Sequence, residues 1–169
     1  MAETVYILLG SNLGDRERNM TRAMEELTGV PGLEIVAASS IYLTEAEGMD
    51  EEAPSFLNQV VKGDYDYLPN ELLVTLERIE KRLGRSDKGQ KQPRTIDLDI
   101  LLFGEQIIET EQLSIPHREL LNRAFAMVPL LQIDPEIVHP VTRRPVAEFL
   151  EENRAHGVLL FKDYVARHI

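Results

Sequence analysis

The sequence predicts an α+β fold, an antiparallel sheet carrying helices. Three observations predict it. Short apolar runs of strand character alternate with two stretches of helical period. In chain order they read β-α-β-β-α-β with C-terminal additions, the ferredoxin-like pattern. The 169 residues are 43% hydrophobic, ample for one core, so a single domain over 1–169 is expected.

Thr4 to Leu9 is a short apolar strand that ends in Gly10-Ser11-Asn12-Leu13-Gly14. Asp15 can cap the helix that follows, where Met20, Ala23, Met24, Leu27 and Val30 recur at helical spacing. Pro31-Gly32 stops it. Leu33 to Leu43 is β-rich, with Ile35, Val36, Ile41 and Tyr42. An acidic loop, Thr44 to Pro54, has no periodicity and is longer than a hairpin needs; such loops often act as lids. Phe56 to Tyr65 is the next strand. Pro69 opens a helix with Leu72, Leu73, Leu76, Ile79 and Leu83 on one face and Gly84 as its stop. An acidic strand follows. A third helix is expected over Glu119 to Gln132, kinked at Pro129. The last residues suggest a short helix near Val146 to Glu152 and a strand at Val158 to Phe161.

The acidic strand is the most informative stretch: Pro93-Arg94-Thr95-Ile96-Asp97-Leu98-Asp99-Ile100-Leu101-Leu102-Phe103-Gly104. Alternation puts Asp97 and Asp99 on one face and Ile96, Leu98, Ile100 and Leu102 on the other. Two carboxylates held so close repel each other. A divalent cation between them removes the repulsion. Hard oxygen ligands at this spacing suit Mg²⁺, which usually arrives with substrate phosphates. The plain alternative is an edge strand with a solvated acidic face. Its otherwise apolar character and the basic loop before it speak for the metal.

Residues 78 to 94 carry Arg78, Lys81, Arg82, Arg85, Lys88, Lys91 and Arg94 against Glu80 and Asp87, a segment of +5 in a chain of −11. Arg78, Lys81 and Arg82 suit a helix C-terminus. The other four lie in or beside the loop that leads to the acidic strand. Guanidinium forks next to a metal-ligand pair point to polyphosphate. Gly84-Arg85-Ser86-Asp87-Lys88-Gly89-Gln90-Lys91 only approximates a P-loop: Gln90 holds the lysine position, and the segment follows a helix rather than a strand.

Composition excludes other chemistry. With no cysteine there is no disulfide, thiolate catalysis or Cys-ligated zinc, which suits a reducing, cytoplasmic setting. No signal peptide and no apolar run of membrane-spanning length is visible. The acidic balance argues against nucleic acid. A monomer acting on small molecules is expected.

Three isolated residues each admit two readings. Asn58, in the apolar run Phe56-Leu57-Asn58-Gln59-Val60-Val61, either satisfies sheet-edge backbone or reads the edge of a heterocycle stacked near Phe56. His117 is either structural or a phosphate contact. Phe125 is either core or a ligand platform.

Several short pieces then occur together and in order. They are Leu9-Gly10-Ser11-Asn12-Leu13-Gly14, Ser40-Ile41-Tyr42-Leu43-Thr44, Phe56-Leu57-Asn58, Glu80-Lys81-Arg82-Leu83-Gly84-Arg85, Pro93-Arg94-Thr95-Ile96-Asp97-Leu98-Asp99, Ser114-Ile115-Pro116-His117 and Asn122-Arg123-Ala124-Phe125. Over residues 4 to 135 the chain resembles the 6-hydroxymethyl-7,8-dihydropterin pyrophosphokinases of folate biosynthesis. The resemblance implies transfer of diphosphate from ATP to the pterin hydroxymethyl group, with release of AMP. It implies two Mg²⁺ ions on Asp97 and Asp99. It implies phosphate contacts from Arg85, Arg94, His117 and Arg123, with Glu80 and Ile100 on the nucleotide side. Arg85 and Arg94 join the two aspartates as catalytic residues. On the pterin side it implies Asn58 at the ring edge, Phe56 and Phe125 on its faces, and Thr44, with Asp97 close by. Phe56 stands where a tyrosine is common, and Gln112 where some members carry arginine. Two other classes remain open: a Mg²⁺-dependent phosphohydrolase using the same carboxylates, and a non-catalytic ligand-binding module on this fold.

Overall fold

In the computed structural model, which describes residues 2–44, 55–84, 95–153 and 158–162, one central strand organises the rest. β1 (Glu3–Ser11) is buried from Val5 onward. It pairs antiparallel with β4 (Phe56–Tyr65) on one side and β5 (Asp97–Phe103) on the other. A strand covered on both faces needs no polar side, which is why Val5 to Leu9 reads as a continuous apolar run.

Between these strands lie α1 (Arg16–Thr28) and α2 (Pro69–Arg82). Asp15 caps α1 by accepting from the Arg18 N–H at 3.1 Å. Pro69 opens α2, and Gly84 closes it at φ +102. At the turn after α1, Gly32 has φ +80, and the Tyr67 ring fills the space a Cβ would need.

The β-rich run after α1 is two strands, β2 (Leu33–Ala38) and β3 (Ile41–Thr44), both paired with β4. Ser39 bridges the break. Its N–H donates to Val60 O at 2.8 Å, and its Oγ accepts from Val60 N at 2.9 Å. A serine side chain thus replaces one rung of the ladder. With a last strand, β8 (Leu159–Lys162), the sheet order is β5-β1-β4-β3-β8, with β2 also on β4. Counting β2 and β3 as one broken strand, this is the expected β-α-β-β-α-β arrangement.

After β5 comes a two-stranded hairpin, β6 (Ile108–Glu109) and β7 (Ser114–Ile115). A 3₁₀ turn, Leu120–Asn122, precedes α3 (Ala124–Ile133), which contains Pro129. The single helix expected from Glu119 is therefore broken: Arg123 is extended at φ −120, ψ 99. α4 (Val146–Asn153) and β8 (Leu159–Lys162) complete the described chain.

The helices form two layers. Val5, Ile7, Leu9, Leu57 and Val61 pack with α1 and α2. Tyr6, Leu8 and Val60 face the opposite way and pack with α3 and α4. Helices on one face describe the β-α-β-β-α-β core; the C-terminal additions cover the other. A register shift opposite Tyr6 and Ile7 corrects one expectation. The bulge turns Leu102 to the α3 side, away from Ile96, Leu98 and Ile100. α3 is tied down at its end by Asp134. Its carboxylate accepts from the Tyr6 hydroxyl and pairs with Lys62 at 2.9 Å. Burial works to raise the Asp134 carboxyl, but the Tyr6 and Lys62 contacts outweigh it and hold it below its usual range.

Candidate active site

The site follows from strand register. Directly opposed residues share a face, so Tyr42 on β3, Asn58 on β4, Gly10 on β1 and Asp97 on β5 form one row across the sheet. Asp99 lies opposite Leu8, on the same face. This is the face that α3 covers. Both carboxylates lie on the strand the sequence assigns to them, side by side as alternation requires.

Around Asn58 the polar groups are buried and paired. Asn58 is 2% exposed, and its Nδ2 donates to Thr44 Oγ1 at 2.8 Å. Phe56, two residues earlier, opposes Thr44. Gly10 leaves the floor open between them. A Cβ at Gly10 would stand 3.3 Å from Asn58 Oδ1 and 3.7 Å from Phe56 Cδ1. Gly10 is a candidate floor position that residue-type reasoning missed, because a glycine has no side chain to read. Arg123 and Phe125 sit at the start of α3, the guanidinium 5.4 Å from the centre of the ring. Phe125 is half-buried against the second core.

The outer edge of β5 carries the other expected residues. Glu80, on α2 and 2% exposed, accepts from the Leu98 N–H at 2.8 Å. Its carboxylate thus holds the backbone between Asp97 and Asp99. The His117 N–H donates to Leu101 O at 2.9 Å. His117 Nδ1 accepts from the Glu119 N–H at 3.1 Å, so the neutral ring carries its proton on Nε2. Between α2, β5 and the β6–β7 hairpin lies a cleft of about 220 Å³, lined by Asp99, Ile100, Gln112, Ser114 and His117 among others. It brings Asp99, Ile100 and His117 together. The hairpin itself was not foreseen, since two-residue strands leave no period to read.

Among the described residues no cluster of three or more His, Asp or Glu could cage a metal. Two adjacent carboxylates, with remaining positions left to phosphate oxygens and water, are the donor set Mg²⁺ takes. Arg85 and Arg94, with the acidic loop Glu45 to Pro54 expected as a lid, lie outside the described residues.

Comparison with known proteins now bears on this arrangement. A family model described as 7,8-dihydro-6-hydroxymethylpterin-pyrophosphokinase matches residues 6–135. The chain belongs to that family. A pyrophosphokinase of the same series from Aquifex aeolicus is 42% identical over 150 residues, covering 89% of this chain and 92% of that protein. The Bacillus subtilis relative is 40% identical, covering 84% of each chain. The folic acid synthesis protein fol1 of Pneumocystis carinii is 40% identical, but this chain spans only 21% of it. A solved HPPK-DHPS of Plasmodium falciparum superposes with a TM-score of 0.69 at 15% identity, over 90% of this chain and 44% of that one. At that identity the likeness speaks for the fold alone. As a family member, the chain is an ATP-dependent pyrophosphokinase of folate biosynthesis. No described helix is long and apolar enough to cross a membrane.

Proposed function

We propose that this chain transfers the terminal diphosphoryl group of ATP to the hydroxymethyl oxygen of 6-hydroxymethyl-7,8-dihydropterin, with the row Asn58–Gly10–Asp97 as the substrate floor. The observation that carries the reading is that row. Asn58 and Asp97 lie on strands flanking β1, so their backbones are about 10 Å apart, two strand spacings. That span suits a bicyclic pterin with its hydroxymethyl arm. Asn58 and Thr44 take the ring edge, Phe56 and Phe125 its faces, and Asp97 the arm.

Ile100, His117 and Glu80 serve the nucleotide side, at the outer edge of β5. His117 offers a proton on Nε2 to a phosphate oxygen. Arg85, Arg94 and Arg123 grip phosphate oxygens by guanidinium forks. Two Mg²⁺ ions on Asp97 and Asp99, when bound, supply charge neutralisation and in-line alignment of the triphosphate. The hydroxymethyl oxygen forms a bond to the β-phosphorus. The bond from that phosphorus to the α,β-bridging oxygen breaks, and AMP leaves with the bridging oxygen and its electron pair. The hydroxyl proton passes to solvent, since a loose transition state asks for little base catalysis. Residues 1–169 act as one domain, a cytoplasmic monomer.

Mass spectrometry of products from ATP, Mg²⁺ and the reduced hydroxymethylpterin tests the reading. Pterin diphosphate and AMP in equal amounts are expected. Release of inorganic phosphate without pterin would replace the reading with hydrolysis. Unaltered ATP would leave a binding module.

A further inference from the structure

The helix that covers the substrate face raises a problem of register. α3 runs Ala124-Phe125-Ala126-Met127-Val128-Pro129-Leu130-Leu131-Gln132-Ile133. Gln132 is its one polar side chain. A helix apolar on every side has no preferred stripe, and apolar contact is non-directional. Packing alone therefore does not fix how α3 is rotated over the sheet, yet Phe125 sits on it.

We propose that Gln132 is a positioning residue for the pterin pocket, locking α3 to β3 and so setting where Phe125 stands over the Asn58 row. Gln132 Oε1 accepts from the Ser40 N–H at 2.7 Å and from the Tyr42 hydroxyl at 2.9 Å. Its Nε2 donates to Ser40 Oγ at 2.8 Å. Ser40, 1% exposed, lies at the break between β2 and β3. Tyr42 opposes Asn58 in the ladder. At the other end of the same short strand, Thr44 accepts from Asn58 Nδ2. β3 thus carries a helix clamp at one end and the partner of the pterin-edge amide at the other. Hydrogen bonds are directional where apolar packing is not, so this amide selects one rotation of α3. The second clamp, Asp134, reaches Tyr6 and Lys62. Lys62 lies four residues beyond Asn58 on β4, which leaves the pocket end to Gln132.

The inference rests on the pterin pocket proposed above, so the test separates the two. Gln132→Leu, Gln132→Glu, Tyr42→Phe and the parent protein are titrated calorimetrically with the reduced hydroxymethylpterin and, separately, with ATP. Turnover is measured with each substrate varied. Gln132→Leu should weaken pterin binding about tenfold and leave ATP within about twofold, as loss of more than one hydrogen bond predicts. Gln132→Glu keeps an acceptor for Ser40 and Tyr42 and should restore pterin affinity to within about twofold of the parent. Tyr42→Phe should shift pterin alone, by about two- to fivefold. A purely structural role would lower the melting temperature and move both substrates together, without rescue by Gln132→Glu. Normal pterin binding in Gln132→Leu, or equal losses for both substrates, overturns the inference. Should Gln132→Leu not fold, Tyr42→Phe decides by the same criterion. A parent protein that binds no pterin would instead sink the pocket itself.

Discussion

The two faces of the sheet are built by different rules. Against α1 and α2 the centre of the contact is apolar, with Val5, Ile7, Leu9, Leu72, Leu76 and Ile79 interlocked, and the Glu80–Leu98 bond lies at the β5 edge. Against α3 an apolar core is also present, but directional bonds line its margin at Gln132–Ser40, Gln132–Tyr42 and Asp134–Tyr6. The same face carries Asn58, Asp97 and Asp99. The centre of the first face needs chiefly volume and hydrophobicity, which many sequences satisfy. The second must hold chosen atoms in chosen places, and polar pairs do that. On the proposed reading the first face chiefly serves the fold, and the second carries the pterin floor and the two carboxylates.

The sharpest way to break this division is to mutate one residue on each side. Asp97→Ala should lower turnover at least about 10³-fold, because charge neutralisation of the phosphates is lost. Its melting temperature should stay close to that of the parent. Leu76→Ala, on the other face and fully buried, should cost about 2–5 kcal/mol in denaturant unfolding. Its surviving folded fraction should turn over normally. Exchange of these outcomes would mean that the faces do not divide the work.

A smaller effect is expected where the two functions meet. Asn58→Ala should weaken pterin binding by about 1–3 kcal/mol, the cost of leaving a buried polar partner unpaired. ATP affinity, measured by the same titration, should change much less. Equal losses would make the Asn58–Thr44 bond part of the scaffold.

Smaller again is the acid limb of stability. The Asp134 carboxyl is held below its usual range, so its contribution is present above about pH 4. It disappears as pH falls through the lowered native value, because protonation ends the pairing with Lys62 and Tyr6. Asp134→Asn should therefore be about 1 kcal/mol less stable near neutrality. The gap to the parent should close in acid. A gap that widens on acidification would reverse the sign of this contribution.

How much of this was legible follows the same division. Local signals were readable: β4 runs from Phe56 to Tyr65, α2 opens at Pro69, and α4 starts at Val146. Asp97 and Asp99 share a face because strand period guarantees it. Long-range facts were not. Nothing local in Leu33 to Leu43 says that Ser39 will bond both ways to Val60. Arg123 ends a 3₁₀ turn in extended form, which helical spacing through Leu120 and Leu121 hides. Leu102 changes sides through a bulge that depends on β1. Glu80 reads as one more helix charge until the Leu98 N–H is placed against it. Gly10 carries no side chain, so its role as floor exists only in the register.

That floor gives the most direct test of the central claim, that the pterin lies on the Asn58–Gly10–Asp97 row. An added Cβ at Gly10 stands at 3.3 Å from Asn58 Oδ1 and 3.7 Å from Phe56 Cδ1. The second is ordinary van der Waals contact and the first asks the Asn58 side chain to give by a few tenths of an ångström, so the fold should survive Gly10→Ala. The measurement is calorimetric titration of Gly10→Ala with the reduced hydroxymethylpterin, with ATP as control. The account predicts that pterin affinity falls about tenfold or more, or 1.4 kcal/mol, with ATP affinity and melting temperature nearly unchanged. Parent-like pterin affinity in a well-folded Gly10→Ala protein would contradict it.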